Sequence, residues 1–372
     1  MIKEMKIKPF INIGPGYTIK KYLDSRGWSQ EDLAQLTDIS TKQLSKIIND
    51  KARITIDTAR LLSKAFGTSA EFWINLDTNF RLDMEPDTKN EKATQIKAQI
   101  RKYMPVSEIF KKKWYCFDNS PEGYKILYRS IWKRPYTDTS IYENIEKKYC
   151  ARQKKDSEEF TSYYTFTWQQ IARIKAKELQ VSTYDEKKIQ KIVERFTEYT
   201  YSKEGIKEII KDLNNAGIKF MILSHLSKTY LDGACFLDND NPVIVYTGRY
   251  DRIDNFWFTL AHEIAHVILH LFQFNDHCFL DDLKDGEIVS EQEIEADRKA
   301  EEILRVKEIL KEAQSYIKYF SEEKLNLIAE KLQIEQSVIL GVLQYKRLVD
   351  YRKLNKYKKN VIELFPQKIV FG

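Results

Sequence analysis

The chain has 372 residues, of which 42% are hydrophobic, so it is long enough for two or three domains with ample buried core. Its net charge of +6 is mild, which predicts local rather than global contact with nucleic acid. Residues 1–16 lack the apolar run of a signal peptide and no segment is apolar enough to span a membrane, so we expect a cytoplasmic protein. The four cysteines show no C-x-x-C pairing, which predicts reduced thiols and no structural zinc finger.

Residues 18–76 contain several short amphipathic helices separated by tight turns. Their apolar residues have the spacing of a helix-turn-helix, and the small Ala34 would let the second helix approach the first. Residues 1–68 hold 12 Lys and Arg against seven Asp and Glu, so this end of the chain is basic. The pattern therefore indicates a DNA-binding unit rather than a generic helical bundle.

The candidate recognition helix carries side chains of the types that contact base edges and phosphates. These are Thr41, Lys42, Gln43, Ser45 and Lys46. The segment resembles the XRE-type helix-turn-helix, most closely the HigA antitoxin subgroup, and this resemblance implies a phosphate contact for Gln30. Where that family prefers Gly in the turn, this chain has Asp38, which tolerates the left-handed conformation better than most residues. We expect residues 1–84 to be a five-helix bundle that binds an operator in double-stranded DNA, with two half-sites if the protein is a homodimer.

The middle of the chain is less informative. Residues 85–102 are charged and poor in large apolar groups, which predicts a helical connector. From Pro105 to about Thr200 the chain is rich in aromatic residues, and we expect a helical region that packs against the domain that follows. Short β-branched runs at 217–223 and 242–247 predict the strands of a small sheet.

The segment 252–272, which is apolar from residue 256 onward, contains the run His-Glu-Ile-Ala-His at 262–266. No Pro or Gly interrupts it, so it predicts a buried helix, with Asp251 or Asp254 as its cap. Residues four apart lie on one face of a helix, so both imidazoles can reach one metal ion while Glu263 lies beside it. Three of the five histidines of the chain fall within nine residues here, which favours a metal site over a structural role.

A catalytic zinc ion needs a third protein ligand and an open position for water. In the charged segment 290–306, Glu293 is the best candidate for that ligand, and Asp297, one helical turn later, would orient a histidine ligand. Glu291 and Glu295 compete for the ligand role, although Glu295 is predicted to point away from the face that carries Glu293.

With these motifs, residues 217–237, 250–270 and 293–304 resemble the ImmA/IrrE family of bacterial metallopeptidases. That family shares a His-Glu-x-x-His helix and a later Glu-x-x-Ala-Asp/Asn motif. The resemblance implies a zincin-like domain in which His262, His266 and Glu293 bind Zn²⁺ and Glu263 is the catalytic base. One departure is Lys299, which stands where the family usually has an aromatic residue.

The implied reaction is peptide-bond hydrolysis without a covalent intermediate, because Glu263 would move a proton from a zinc-bound water to the leaving amine. His225, Arg249 and Tyr250 are candidates, by proximity in the chain, for a hydrogen-bond donor to the transition state. His270 stands one further step along the face of the helix that carries the ligands.

Together these patterns predict a mainly α protein with a small β-sheet. The predicted domains are the helix-turn-helix at 1–84, a helical middle region at 85–200, the metallopeptidase at 201–310 and a helical region at 311–372. The predicted function is a DNA-binding transcriptional regulator whose zinc-dependent endopeptidase cleaves a repressor or similar protein. The sequence leaves one alternative open, a HigA-like antitoxin or autorepressor that binds DNA and a toxin and whose peptidase domain is sensory or inactive.

Overall fold

The computed structural model of the protein describes residues 13–84, 87–138, 140–142, 156–227, 229, 231–273, 278–282 and 291–371. The chain divides into two compact units, Met1–Ala93 and Thr94–Gly372. Its elements confirm the predicted mainly helical α+β fold. The boundaries predicted at 200 and 310 both fall inside the second unit. Among the described helices, none is long and apolar enough to cross a lipid bilayer.

Residues 13–84 of the first unit form a bundle of five helices. These are α1 (Pro15–Arg26), α2 (Gln30–Thr37), α3 (Thr41–Ile48), α4 (Ile56–Phe66) and α5 (Ala70–Met84). Leu33, Leu44 and Trp73 are fully buried at its centre. Ser29 and Asp32 form a reciprocal capping box at the start of α2, which satisfies backbone N–H groups that have no partner within the helix. The local signals of this segment therefore agree with its tertiary packing.

The turn between α2 and α3 depends on Asp38, which has φ of 56° in the left-handed region. The Ser40 hydroxyl then accepts a hydrogen bond of 3.3 Å from the backbone N–H of Gln43 and caps α3. The cap and the turn together fix where α3 starts, and therefore which of its side chains face outward.

The second unit surrounds a sheet with helices. Before the sheet, helices occupy Lys89–Tyr103, which begins in the first unit, and then Val106–Lys111, Pro121–Trp132, Asp156–Ala176, Glu186–Glu194, Phe196–Tyr201 and Gly205–Asn215. The later helices are Ile253–Leu269, Glu291–Ile303, Val306–Ala313, Glu322–Leu332 and Gln336–Tyr345. Three of these helices lie around the candidate site: the metal helix (Ile253–Leu269), the acidic helix (Glu291–Ile303) and the pocket helix (Gln336–Tyr345).

Within the described residues, five strands form one mixed sheet in the order β4-β2-β3-β1-β5. They are β1 (Lys219–Leu223), β2 (Leu231–Asp238), β3 (Asn241–Tyr246), β4 (Cys278–Asp282) and β5 (Val370–Phe371). β1 is parallel to β3 and β5, whereas β2 is antiparallel to β3 and β4. Alternate side chains of β1 enter two different cores: Phe220 packs against Phe256 of the metal helix, and Met221 belongs to the other core, which contains Trp168. β1 is therefore buried on both of its faces.

Three sequence predictions need correction here. The strands predicted at 217–223 and 242–247 are β1 and β3, but the sequence missed β2, β4 and β5. The metal helix is shorter than predicted and has Arg252 at its N-cap, with no side-chain cap. Asp254 instead lies in the first turn and forms an ion pair with Arg252. Asp251 accepts hydrogen bonds from the backbone of Val361 and Ile362, so it anchors the carboxyl-terminal segment rather than the helix.

Candidate metal centre and DNA-binding helix

The metal helix brings two histidines together on one face. His262 and His266 are four residues apart, and their Nε2 atoms lie 3.0 Å from each other. The rings are only 4% and 1% exposed because the helix packs between the sheet and the acidic helix. Burial lowers the pKa of His266, which favours the neutral imidazole that a metal ion binds.

The acidic helix places Glu293 against both rings. One carboxylate oxygen lies 3.1 Å from Nε2 of His262, and the other lies 3.4 Å from Nε2 of His266. Burial raises the pKa of Glu293, but the hydrogen bonds with the two histidines outweigh it and lower the pKa to about 2. The third donor is therefore a carboxylate at neutral pH.

The three donor atoms lie within 4.8 Å of one another. Zinc bonds to nitrogen and oxygen are about 2.0–2.2 Å long, so two ligand atoms of one tetrahedral zinc ion are about 3.4 Å apart. The two histidine Nε2 atoms lie 3.0 Å apart, and each has a carboxylate oxygen of Glu293 at 3.1 or 3.4 Å, although the two contacts use different oxygens of that carboxylate. The donor set and its spacing thus fit a zinc ion.

A second carboxylate, that of Asp297, contacts the ring of His262. Asp297 lies one turn after Glu293, and its Oδ1 is 2.9 Å from Nδ1 of His262. A proton on Nδ1 shared with this carboxylate leaves the lone pair of Nε2 free to face a metal ion. The acidic helix therefore reaches both nitrogens of one ring.

His270 extends the histidine row beyond the donor atoms. Its Nδ1 is 3.1 Å from Nδ1 of His266, and its Nε2 is 3.0 Å from a carboxylate oxygen of Glu295. The sequence considered Glu295 only as a competing ligand that points away from Glu293. In the structure Glu295 lies outside the three-donor group and instead faces His270, so it supports the row of rings from its far end.

Glu263 lies beneath the backbone of β2. Its side chain is 1% exposed, and a Cβ atom added to Gly233 would lie 2.3 Å from its Oε1 atom and 2.8 Å from the methyl group of Thr259. Only a residue without a side chain leaves room for the carboxylate at this point. The sequence missed Gly233, because a close approach between a strand and a distant helix has no local signal.

A pocket of about 480 Å³ opens beside the histidines, with His262 and Asp297 in its wall. Tyr250 lines this pocket, and the guanidinium of Arg249 lies over the Tyr250 ring, 5.0 Å from its centre. His225 is not among the described residues that line it. Of the three predicted hydrogen-bond donors, Tyr250 is therefore the one that lines the same pocket as His262.

In the first unit, α3 presents the predicted DNA-contacting side chains to solvent. Thr41, Lys42, Gln43 and Lys46 are exposed, Ser45 is half-buried, and Gln30 is exposed at the start of α2. The other face of α3 buries Leu44 and Ile47 in the bundle. This division leaves a polar, basic face that could enter a groove of DNA.

Comparison with known proteins identifies the first unit. A family model described as helix-turn-helix matches residues 19–73. An "uncharacterized HTH-type transcriptional regulator" of Haemophilus influenzae is 34% identical over 82 residues, which are 22% of this chain and 75% of the relative. The chain belongs to the helix-turn-helix family of transcriptional regulators. The regulator also matches virulence-associated protein I of Dichelobacter nodosus, with 33% identity over 78 residues, or 21% of this chain and 72% of the relative.

These matches confirm the sequence prediction of a DNA-binding helix-turn-helix unit in the regulator. They cover only its amino-terminal part and do not reach the candidate metal centre.

The structure adds a buried ion pair to this unit that the sequence did not indicate. Asp77 on α5 is 4% exposed, accepts a hydrogen bond of 3.2 Å from the backbone N–H of Ile54, and pairs with Arg81 at 3.0 Å. Arg81 in turn donates a hydrogen bond of 2.6 Å to the carbonyl of Ala52. The pair thus ties α5 to the segment that follows α3.

Proposed function

We propose that the regulator is also a zinc-dependent endopeptidase of the ImmA/IrrE type, which cleaves a repressor or similar partner protein and thereby changes transcription. The observation that carries this proposal is the convergence of His262, His266 and Glu293, whose donor atoms lie within 4.8 Å of one another. Two histidines and one glutamate, with one position open for water, form a common ligand set of catalytic zinc.

In this proposal, side chains around the three donors supply the remaining steps of the reaction. Bound zinc would polarise the scissile carbonyl and acidify the attacking water. Glu263, which follows His262 directly, would accept the proton of that water and deliver it to the leaving amine. Asp297 would hold the proton on Nδ1 of His262, so that this ring keeps its orientation throughout the cycle.

Tyr250 is the best candidate for the donor that stabilises the transition state. It lines the pocket that opens at His262, and its phenol can donate a hydrogen bond to the oxygen that becomes negative as the carbonyl is attacked. Arg249 lies over its ring and restricts its orientation. Arg249 itself faces Asp232 across 3.5 Å, which leaves it with a structural role in this scheme.

The metal-binding step is tested by elemental analysis of the purified full chain. We expect about one zinc ion per chain, and a clear loss of zinc in His262→Ala and Glu293→Ala because each removes one of three ligands. Glu291→Ala is the matched control, since Glu291 is an exposed glutamate at the start of the same helix. Zinc contents equal to wild type in both ligand variants would contradict the assignment.

The catalytic step is tested with Glu263→Gln, which keeps the size of the side chain and all three ligands. Zinc content, folding and operator binding should stay at the wild-type level, whereas turnover of a peptide library should fall by about 10²-fold or more. In cells, proteolytic control predicts that this variant no longer derepresses target genes. Wild-type regulation by Glu263→Gln would instead support the antitoxin or autorepressor role, in which DNA and toxin binding are sufficient.

A further inference from the structure

The pocket beside the candidate metal centre lies between the metal helix, the acidic helix and the pocket helix. Its volume is about 480 Å³, which falls within the range of sites that hold small ligands or large side chains. Much of its wall is apolar. The apolar lining residues are Phe258, Leu304, Val306, Val338 and Val342. An occupant of this space would therefore gain free energy mainly by burying apolar surface.

The charged groups that line the pocket have ion-pair partners; Asp232, for one, pairs with Arg249 outside the lining at 3.5 Å. Arg252 forms an ion pair with Asp254, and Lys346 pairs with Glu301 at 2.6 Å. Asp297 is engaged by His262. A charged guest would have to compete with these existing pairs, whereas an apolar guest would leave them intact. The electrostatics thus favour an uncharged occupant.

The pocket is continuous with the metal centre because His262 belongs to both. Successive residues of an extended peptide are about 3.3–3.6 Å apart. A side chain that fills the pocket therefore belongs to a residue at, or next to, the bond that the metal centre would cleave.

We propose that this pocket binds one large apolar side chain, aromatic or long aliphatic, of the substrate residue beside the scissile bond. This inference rests on the proposed peptidase function and adds the class of peptide that it accepts. Val342, from the pocket helix, forms part of the wall, and Tyr345, one turn later, forms part of the rim. Phe258 of the metal helix faces Tyr345, with 6.1 Å between the ring centres. These three residues determine the preference.

The test uses hydroxamates, which anchor to zinc and carry one side chain. N-acetyl hydroxamic acids of Phe, Leu, Ala, Lys and Glu are titrated by calorimetry into the zinc-loaded full chain. Phe and Leu should bind about tenfold or more tightly than Ala, because they bury more apolar surface. Lys and Glu should bind no more tightly than Ala.

Two variants connect this preference to the pocket. Val342→Phe fills the space from its wall and should reduce the advantage of the Phe hydroxamate over Ala to within about threefold. Tyr345→Ala, at an exposed position that carries little risk to folding, should weaken Phe binding while Ala binding stays unchanged. Tyr319→Ala is its matched control, because Tyr319 is a more exposed tyrosine of the same unit and does not line the pocket.

Equal binding of all five hydroxamates, preferred binding of Lys or Glu, or an equal effect of Tyr345→Ala and Tyr319→Ala would overturn the proposal. So would a zinc-loaded chain that binds none of the hydroxamates. Failure of the peptidase function would appear differently, as an apolar preference in binding by a zinc-loaded protein that cleaves no peptide.

Discussion

Gly233→Ala is expected to disable the proposed catalytic base without touching a metal ligand. The new Cβ atom would lie 2.3 Å from Oε1 of Glu263, whereas ordinary contacts begin at 3.4 Å, so the carboxylate must move by about 1 Å. A displacement of that size can lower a reaction rate by about 10²-fold. The methyl group of Thr259, at 2.8 Å, adds overpacking that costs about 1–3 kcal/mol of stability.

The assay compares turnover of a quenched peptide library and zinc content in four proteins: wild type, Gly233→Ala, Glu263→Gln and the double variant. Zinc content should be the same in all four, because His262, His266 and Glu293 are unchanged. If Gly233→Ala acts through Glu263, it should add little to the defect of Glu263→Gln. Turnover of Gly233→Ala within about threefold of wild type, or fully additive defects in the double variant, would refute this reasoning.

Three further predictions concern DNA binding and stability. Gln43→Ala should relax sequence preference in operator-binding assays, whereas Lys46→Ala should weaken binding to all sequences and flatten its dependence on salt; no sequence-selective binding by wild type would contradict both. Asp77→Ala should destabilise the first unit by about 3 kcal/mol in urea unfolding, because it leaves the Arg81 charge without its partner; a loss below about 1 kcal/mol would argue against this. Burial raises the pKa of Glu335 to about 7, so the stability of wild type should fall as pH rises from about 4.5 through 7. Glu335→Gln should therefore be more stable than wild type at pH 8, by at most about 3 kcal/mol, but not at pH 4. Equal stabilities of the two proteins at pH 8 would refute this.

The helix-turn-helix was predictable because its signals are local. The caps at Ser29 and Ser40, the turn at Asp38 and the spacing of buried residues all lie within a short stretch of sequence. Each signal indicates the same helix boundaries, so errors at one position are corrected by the others. The metal helix was also predictable, because its histidine spacing and apolar composition lie within 17 residues, but its ends and its cap were not.

The sheet was only partly predictable because pairing decides its strands. β2 contains Asp232 and Gly233, residues with poor strand propensity, and it becomes a strand through its antiparallel pairing with β3 and β4. β5 has two residues and pairs with β1, which lies far away in sequence. Neither strand has a periodic pattern that a reading of the sequence can detect.

The geometry of the α-helix explains why Glu293 and Asp297 both contact His262 whereas Glu295 does not. Each residue turns an α-helix by about 100°, so Glu293 and Asp297 point in nearly the same direction, while Glu295 is rotated by about 200° from Glu293. In the structure the first two meet the two nitrogens of His262, at 3.1 and 2.9 Å, and Glu295 meets His270 instead. A rotation of the acidic helix by one residue would break both contacts to His262 at once. The register of this helix therefore sets the positions of the proposed third ligand, Glu293, and of Asp297 together, and it depends on how the acidic helix, with its buried Ala296 and Ala300, packs against the metal helix.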